Sequence, residues 1–553
     1  MRYLKSVVIL ALVMTSAWLA DTHNWAQMTP CPPPQKPTKP LMLDADLIRV
    51  GISDNGMTQM EYPGVTLTGV GPYRVRQGDK VVLESPAFAA IHITKSASGF
   101  LIHTLTGGTL GPFCYTLTVE PVDPDGRLKI TSITRKGIVP SYRGIIELVA
   151  GASSPDKFSA VNVLPMQDYL KAVVPNELPI QYGYEAVKAQ AVAARNYAIR
   201  PREKPWPQFD ICDSPYCQAY YGAQTEDPQV TKALAETQGL VALYQGQPIL
   251  ALYSSSIGGY RESYENSFSD PLTNKFPGTP IPYLQGGPDM GEPVTLNNDT
   301  AARAFYTTRY PNSFDVQSPM YRWQTLWPST GLEAIINKNL AETSEDGSTR
   351  AFVQPAFHSG ETIGVLQDIT VLDRGVSGKA MHVRITGSHG TWVLSKEFVI
   401  RKVLRYNGRF LPSANVVLDM IRDRNGHLLS VKASGGGMGH GVGMSQLGAS
   451  YMSKHGSEFT DILKHYYTGI AIGTIPLTAT ATQGMKTTFY VDKPQGTLFV
   501  QGTSPVQVQI NDKTLTITQH SLPISQYLKT DMLNQLEIKP LQSPSIASVW
   551  IEL

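Results

Sequence analysis

A succession of short β-type runs fills the chain from Leu47 to Leu164 and leaves it few choices of fold. LIRVGIS, VTLTGV, YRVRQG, KVVLES, IHITKS and LKITSIT are rich in Val, Ile and Thr and are separated by Gly, Asp or Pro; YRGIIELVA and FSAVNVL continue the pattern. Such runs persist only when paired into sheets, because one strand alone buries too little apolar surface. The pattern breaks at PMQDYLKAVVPNELPIQYGYEAVKAQAVAARNYAIRPRE. From Tyr184, Ala186, Val187, Ala191, Ala194, Tyr197 and Ala198 fall on one face of an α-helix. Its polar side carries Glu185, Lys188, Arg195 and Asn196, and Pro201 acts as a stop. Strand signals return in GLVALYQGQPILALYSSSIGG, then in TIGVLQDITVLD, MHVRITG and GTWVLSKEFVI, with a short helix around LEAIINKNLAE. The pattern predicts an α+β chain: a β-rich multi-domain protein with one helix-bearing region and a small C-terminal all-β domain.

At 553 residues the chain exceeds one ordinary core, so two to four domains are expected. A formal net charge of +2 is close to neutral at this size and argues against nucleic acid as a partner. The N-terminus reads MRYLKSVVILALVMTSAWLADT. Basic Arg2 and Lys5 precede an uncharged stretch of signal-peptide length, and small residues at 15–17 allow cleavage after Ala17. Residues 1–20 are therefore a signal peptide or an N-terminal anchor, and the body is exported. TPCPPPQKPTKP carries six prolines and makes residues 21–44 a semi-rigid linker. No other stretch is long and apolar enough for a transmembrane domain.

Four cysteines are too few for a disulfide scaffold in a chain of this length. Cys31 lies in the linker. Cys212 and Cys217 form a C-x4-C pair that is either a local disulfide or part of a zinc site, and a closed zinc site needs two further ligands. Disulfide is the favoured reading, and no cofactor is expected.

The most pointed motif is VVPNELP, residues 173–179. Val174 and Leu178 each precede a proline, which pushes both toward extended backbone and fixes the segment around Glu177. Two functions suit that carboxylate. It either sits before the next helix, favoured by the helix dipole, or is a general acid whose proton is retained by an apolar setting. Lys188 and Arg195, seven residues apart, share the polar face of the next helix and are placed either to orient Glu177 or to hold an oxygen-rich substrate. SGGGMGHGVGMSQLGASYMSKHG is a glycine-rich loop running into a helix, but it contains neither G-x-G-x-x-G nor G-K-[ST]. His440 within it has little side-chain core around it, and Ser445 and Gln446 offer polar groups to sugars or amides. SSSIGG lacks the G-x-S-x-G context of a serine nucleophile, which points Ser254, Ser255 and Gly259 to substrate contact.

MQDYLKAVVPNELP…EAVKAQAVAARNYAI, CDSPYCQAYYG, YSSSIGG and GMGHGVGMSQLGA…ILKHYYTGI, taken in order, resemble the SpoIID/LytB family over residues 48–480. The resemblance implies an exported lytic transglycosylase that cuts peptidoglycan glycan strands stripped of stem peptides. It matches the family's catalytic glutamate to Glu177 and its helix lysine and arginine to Lys188 and Arg195. Gln218, Ser254, Ser255, Gly259, His440, Ser445 and Gln446 complete the implied substrate contacts. Residues 45–155 then form the β-rich N-terminal part, 156–290 the catalytic core, 291–480 the remainder with the glycine-rich loop, and 485–553 a β domain outside the resemblance. Some relatives bind zinc near the C-x4-C pair, but Trp206 and Tyr216 stand here where histidines would be expected. LytB-type relatives are amidase modifiers, so the alternative is a non-catalytic wall-binding protein whose partner is a cell-wall amidase. Asp168 and Glu185 are the spare carboxylates that hydrolysis would recruit.

Overall fold

Leu47–Ile52 alternates exposed and buried residues before running fully inward, and it pairs antiparallel with Phe158–Pro165 at the centre of a seven-stranded sheet. The computed structural model describes residues 47–553 except 201–205, 215, 290, 481, 503–504 and 542–545. The expectations for residues 1–44, for Cys31 and for Pro201 lie outside the described residues. The first sheet runs Ile211–Cys212, Leu47–Ile52, Phe158–Pro165, Ile145–Ala150, Leu117–Pro121, Tyr73–Gln77 and Lys80–Ser85. A second sheet of six strands spans Gly64–Tyr142 and includes Gly64–Gly69, Ile91–Ser96 and Gly99–Thr104. The protein is thus a β-rich α+β chain with several sheets and few helices, as the strand pattern predicted.

Against these sheets pack α1 (Met166–Glu177), α2 (Tyr184–Ile199) and α3 (Pro228–Glu236). The polar side expected for α2 is absent, because every residue from Ala186 to Ile199 is buried. Five small alanines from Ala186 to Ala194 let neighbouring elements close around the helix on all sides. A helix enclosed in this way is a core element rather than a surface one.

The chain leaves this body after Tyr253–Ser254 and returns at Met444–Ser445, two short strands paired in parallel. Between them a second core gathers Trp323, Trp327, Leu332, Ile336, Val383 and Val431. It holds a three-stranded and a four-stranded sheet with α4 (Asp299–Thr307), α5 (Ser329–Glu345) and α6 (Glu397–Val403). Two of these helices depart from expectation. The sequence around α4 reads as irregular, yet Asn298 caps its N-terminus by accepting from the Ala301 N–H at 2.9 Å. GTWVLSKEFVI reads as one strand, but Lys396 adopts φ +77° and turns the chain into α6 after Ser395. After the return come α7 (Gln446–Lys454) and α8 (Phe459–Tyr466).

The last 70 residues are bonded into the main body. Ala547–Glu552 pairs with Thr497–Gly502 and also with Leu477–Ala479 and Ala471–Thr474, and its apolar residues belong to the same core as α1 and α2. Lys188 helps fasten this region. Its ammonium lies 3.5 Å from Glu185, 3.3 Å from Glu236 and 3.4 Å from Asp492, over the Phe459 ring. The side chain is only 6% exposed, so its charge is screened little. Lys188→Met should therefore cost about 1–3 kcal/mol in chemical denaturation, the range for bonds to a charged group. An unchanged denaturation midpoint would show that the three carboxylates re-solvate without loss.

Candidate functional site

Glu177 closes α1. The helix buries Met166, Tyr169, Leu170, Ala172, Val173 and Val174, a spacing that turns one face to the core. Pro175 lies inside the helix, so Val174 is helical where its place before a proline predicted extended backbone. Val173 and Val174 are fully buried, and their packing overrides the local preference. The cost is small so near the helix end, where Pro175 forfeits one bond to the carbonyl four residues earlier. Asn176 ties the helix end down by donating from Nδ2 to the Ala172 carbonyl at 2.7 Å and to Thr225 Oγ1 at 2.8 Å. Leu178 is extended as expected, with φ −141° and ψ 94°.

The carboxylate therefore does not precede the following helix. It ends the preceding one, where the macrodipole disfavours negative charge, while Gly183 occupies the N-terminal cap of α2. Burial pushes the Glu177 carboxyl above the usual glutamate range, opposed by the Ala219 N–H and the Gln446 amide. The Ala219 N–H donates to Glu177 Oε1 at 2.8 Å. Gln446 begins α7 and also donates from Nε2 to Gln190 Oε1 at 3.3 Å. Tyr169, Tyr221 and Tyr253 face the carboxylate closely enough for its charge to raise their hydroxyls further, after burial has already done so.

Gln218 organises this surround. Tyr169 donates its hydroxyl to Gln218 Oε1 at 2.9 Å, and Gln218 Nε2 donates to Tyr253 Oη at 3.0 Å and to the Ala194 carbonyl at 3.3 Å. Gln218 and Ala219 directly follow the loop closed by the Cys212–Cys217 disulfide, whose Cα atoms are 5.5 Å apart. Both sulfurs are consumed, and Trp206, stacked on Phe209, and Tyr216 supply no imidazole. This donor set does not fit zinc, and no step is derived through a metal.

Ser254 pairs with Ser445 in the parallel bridge that seats the glycine-rich loop beside Gln446. His440 answers the missing partner for the serine run, since Ser254 Oγ lies 3.2 Å from His440 Nδ1. The Val442 N–H donates to the same nitrogen at 3.1 Å and the Gly441 N–H to Ser254 Oγ at 3.0 Å. Nδ1 is thus an acceptor, and the ring proton belongs on Nε2. Buried Lys379 donates to the His440 carbonyl. Burial alone would raise the neighbouring Glu397 carboxyl, but Arg401 and Lys379 hold it below the usual range.

The other expected residues divide. Ser445 Oγ caps α7 by accepting from the Gly448 N–H at 3.1 Å, and the Ser255 carbonyl accepts from the Leu447 N–H at 3.2 Å. Gly259, at φ +95°, has Ser313 and Tyr321 against the space a Cβ would need. Among the described residues, Lys188 and Arg195 make their hydrogen bonds and ion pairs to groups other than Glu177. Lys188 is held by its three carboxylates, and Arg195, fully enclosed, donates to the Leu240 carbonyl at 2.8 Å and to Gln167 Oε1 at 3.2 Å. Burial pushes the Arg195 guanidinium down to about 10. Asp168 is bonded to Lys171 at 2.7 Å, and Glu185 accepts from the Phe459 N–H at 2.9 Å.

Several residues of the site carry no motif. Asp315 accepts from Ser256 Oγ at 2.6 Å and from the Ile257 and Gly258 N–H groups at 2.8 Å, so a distant carboxylate shapes the SSSIGG turn. Gln190, in the middle of the alanine-rich helix, reads as one more polar position. A surface depression of about 540 Å³ lies away from these residues, between His358, Glu361, His389 and Trp392.

The sequence profile of the stage II sporulation protein family, SpoIID, matches residues 154–244, which hold α1, α2 and the disulfide loop. The amidase enhancer of Bacillus subtilis is 31% identical over 310 residues, and stage II sporulation protein D of the same organism is 27% identical over 354. Residues 154–244 thus form a SpoIID-family region, and the chain is similar to both relatives. The matched part covers 55% of this chain and 40% of the amidase enhancer, against 60% and 82% for the sporulation protein. A domain of unknown function, DUF8618, matches residues 270–443, nearly the segment between the two parallel strands. The SpoIID match thus ends at Tyr244, while Gln446, which contacts Glu177, comes from beyond that second region.

Proposed function

We propose that the chain is an exported lytic transglycosylase acting on denuded peptidoglycan glycan strands. Glu177 protonates the glycosidic oxygen between N-acetylmuramic acid and N-acetylglucosamine. The resulting carboxylate then takes the proton of the muramic C6 hydroxyl, whose oxygen closes on C1 and leaves a 1,6-anhydro end. The observation that carries this reading is the Glu177 carboxyl, raised by burial and met, among the described residues, by the neutral Ala219 N–H and Gln446 amide. Hydrolysis by two carboxyl groups needs the second within about 10 Å of the first. Asp168 stands nine residues earlier on α1, about 13.5 Å along the helix axis, and is paired with Lys171; Glu185 is engaged at the start of α8. The C6 hydroxyl supplies the nucleophile instead, so one group serves twice.

Digestion of purified denuded strands, with products weighed by mass spectrometry, should give anhydro ends. Reducing ends would replace this reading with hydrolysis. The amidase enhancer's similarity favours a second reading, a wall-binding protein that stimulates a separate amidase. Binding to sacculi with a raised amidase rate and no strand cleavage would establish that one.

A further inference from the structure

Gln190 is fully buried on α2, and its Oε1 accepts from Gln446 Nε2 while its own Nε2 has no hydrogen-bond partner. A buried amide N–H2 group left unbonded beside an acid is costly, and native structures rarely tolerate one without a use. We propose that Gln190 and Gln446 form an amide pair that reverses with the protonation state of Glu177, allowing one carboxyl to give a proton and then take one. The inference deepens the glycan-cleavage reading and rests on it for its purpose.

The bonding capacities fix the two states. An ionised carboxylate only accepts; in the structure Gln446 gives its N–H2 group to Gln190 Oε1, with the same amide close enough to Glu177 to favour its ionised form. A protonated carboxyl has an O–H to donate. A half-turn of both amides brings Gln446 Oε1 to face that O–H and to accept from Gln190 Nε2, while the Gln446 N–H2 group takes the place its oxygen held, on a residue still 8% exposed. The unbonded N–H2 group then gains its partner, and Gln190 exchanges an orphaned donor for a less costly orphaned carbonyl. Neither backbone nor charge moves within the pair. The titratable groups facing Glu177 are Tyr169 on its own helix, Tyr221 shortly after the disulfide loop and Tyr253 on the strand beside the glycine-rich loop, all neutral near pH 7. Lys188 and Arg195 on α2 are bonded elsewhere. Gln190 is therefore a positioning residue that acts through Gln446.

The test uses the full chain with 15N-labelled glutamine and 13C-labelled glutamate carboxyls, followed by NMR across pH. The Gln190 side-chain amide should shift with the same midpoint as the Glu177 carboxyl, and the shift should vanish in Glu177→Gln. In Gln190→Met, which keeps the volume of a buried side chain, the Glu177 midpoint should fall: both states lose one amide–amide bond, but the ionised state also sheds the orphaned donor that burdens it. On denuded strands kcat should then drop about 10-fold or more with KM unchanged. A Gln190 amide that ignores the Glu177 titration, or a Glu177 midpoint unmoved in Gln190→Met, overturns the pair. A coupled amide in a protein that releases no anhydro ends supports the pair and overturns only the glycan reading.

Discussion

Glu177→Gln should lower the release of anhydro-ended fragments from denuded strands by about 10³-fold or more, since general acid–base catalysis is worth roughly 10²–10⁴ and here one group performs both transfers. The same variant should not lose stability. A glutamine Oε1 still accepts from the Ala219 N–H, so the 2.8 Å bond that the carboxylate accepts survives. The stability effect follows from the raised carboxyl. Below the ordinary glutamate range Glu177 is protonated in both folded and unfolded chains and contributes nothing. As pH rises through that range the unfolded chain ionises first, and folding loses about 1.4 kcal/mol per pKa unit of elevation. Above the folded value the loss is complete and constant. Glutamine does not ionise, so the variant should equal the parent near pH 4 and exceed it at pH 8 in denaturant midpoint. A variant that is weaker at pH 8 would contradict the account of Glu177 as a desolvated acid, whatever happens to activity.

Glu177 also shows how far the sequence could be read. Its mount was legible, because two prolines and a run of aliphatic residues are local facts. The helical state of Val174 was not, because it is decided by the sheets and helices that enclose Val173 and Val174. The same limit explains Lys188 and Arg195. Their spacing shows that they share a helix face, but a face defined by polarity is solvent-exposed only if nothing covers it, and here the C-terminal strands and α8 do. Ser254 lacked a visible histidine because its partner lies 186 residues away. The long strands, α2 and the disulfide were readable from period and spacing. Gln446 was legible as a polar residue of the glycine-rich loop, but its pairing with Gln190, like the reach of Asp315 to the SSSIGG turn, is set by topology.

Removing one member of the Arg135–Asp213 pair should cost about 3–5 kcal/mol, the largest stability effect expected in this chain. Both side chains are completely buried, with Arg135 Nη2 at 2.5 Å and Nε at 3.2 Å from Asp213 Oδ2. The remaining capacity is filled. Arg135 donates to the carbonyls of Ser53 at 2.7 Å, Thr134 at 3.0 Å and Asp54 at 3.2 Å, and Ser53 donates from its N–H and hydroxyl to Asp213 Oδ1 at 3.0 and 2.5 Å. Asp213 follows Cys212 directly, so this knot anchors the disulfide loop that leads to Ala219 and its bond to Glu177. Asp213→Ala leaves a guanidinium buried without its counter-charge, and Arg135→Met leaves the carboxylate so; chemical denaturation of each should show the loss. The double variant Arg135→Met/Asp213→Leu buries no charge and should recover part of that loss, because an apolar pair carries no desolvation penalty. If both single variants lost less than about 1 kcal/mol, the pair would be accessible to water, and the rigidity assigned to the loop over Glu177 would need another source.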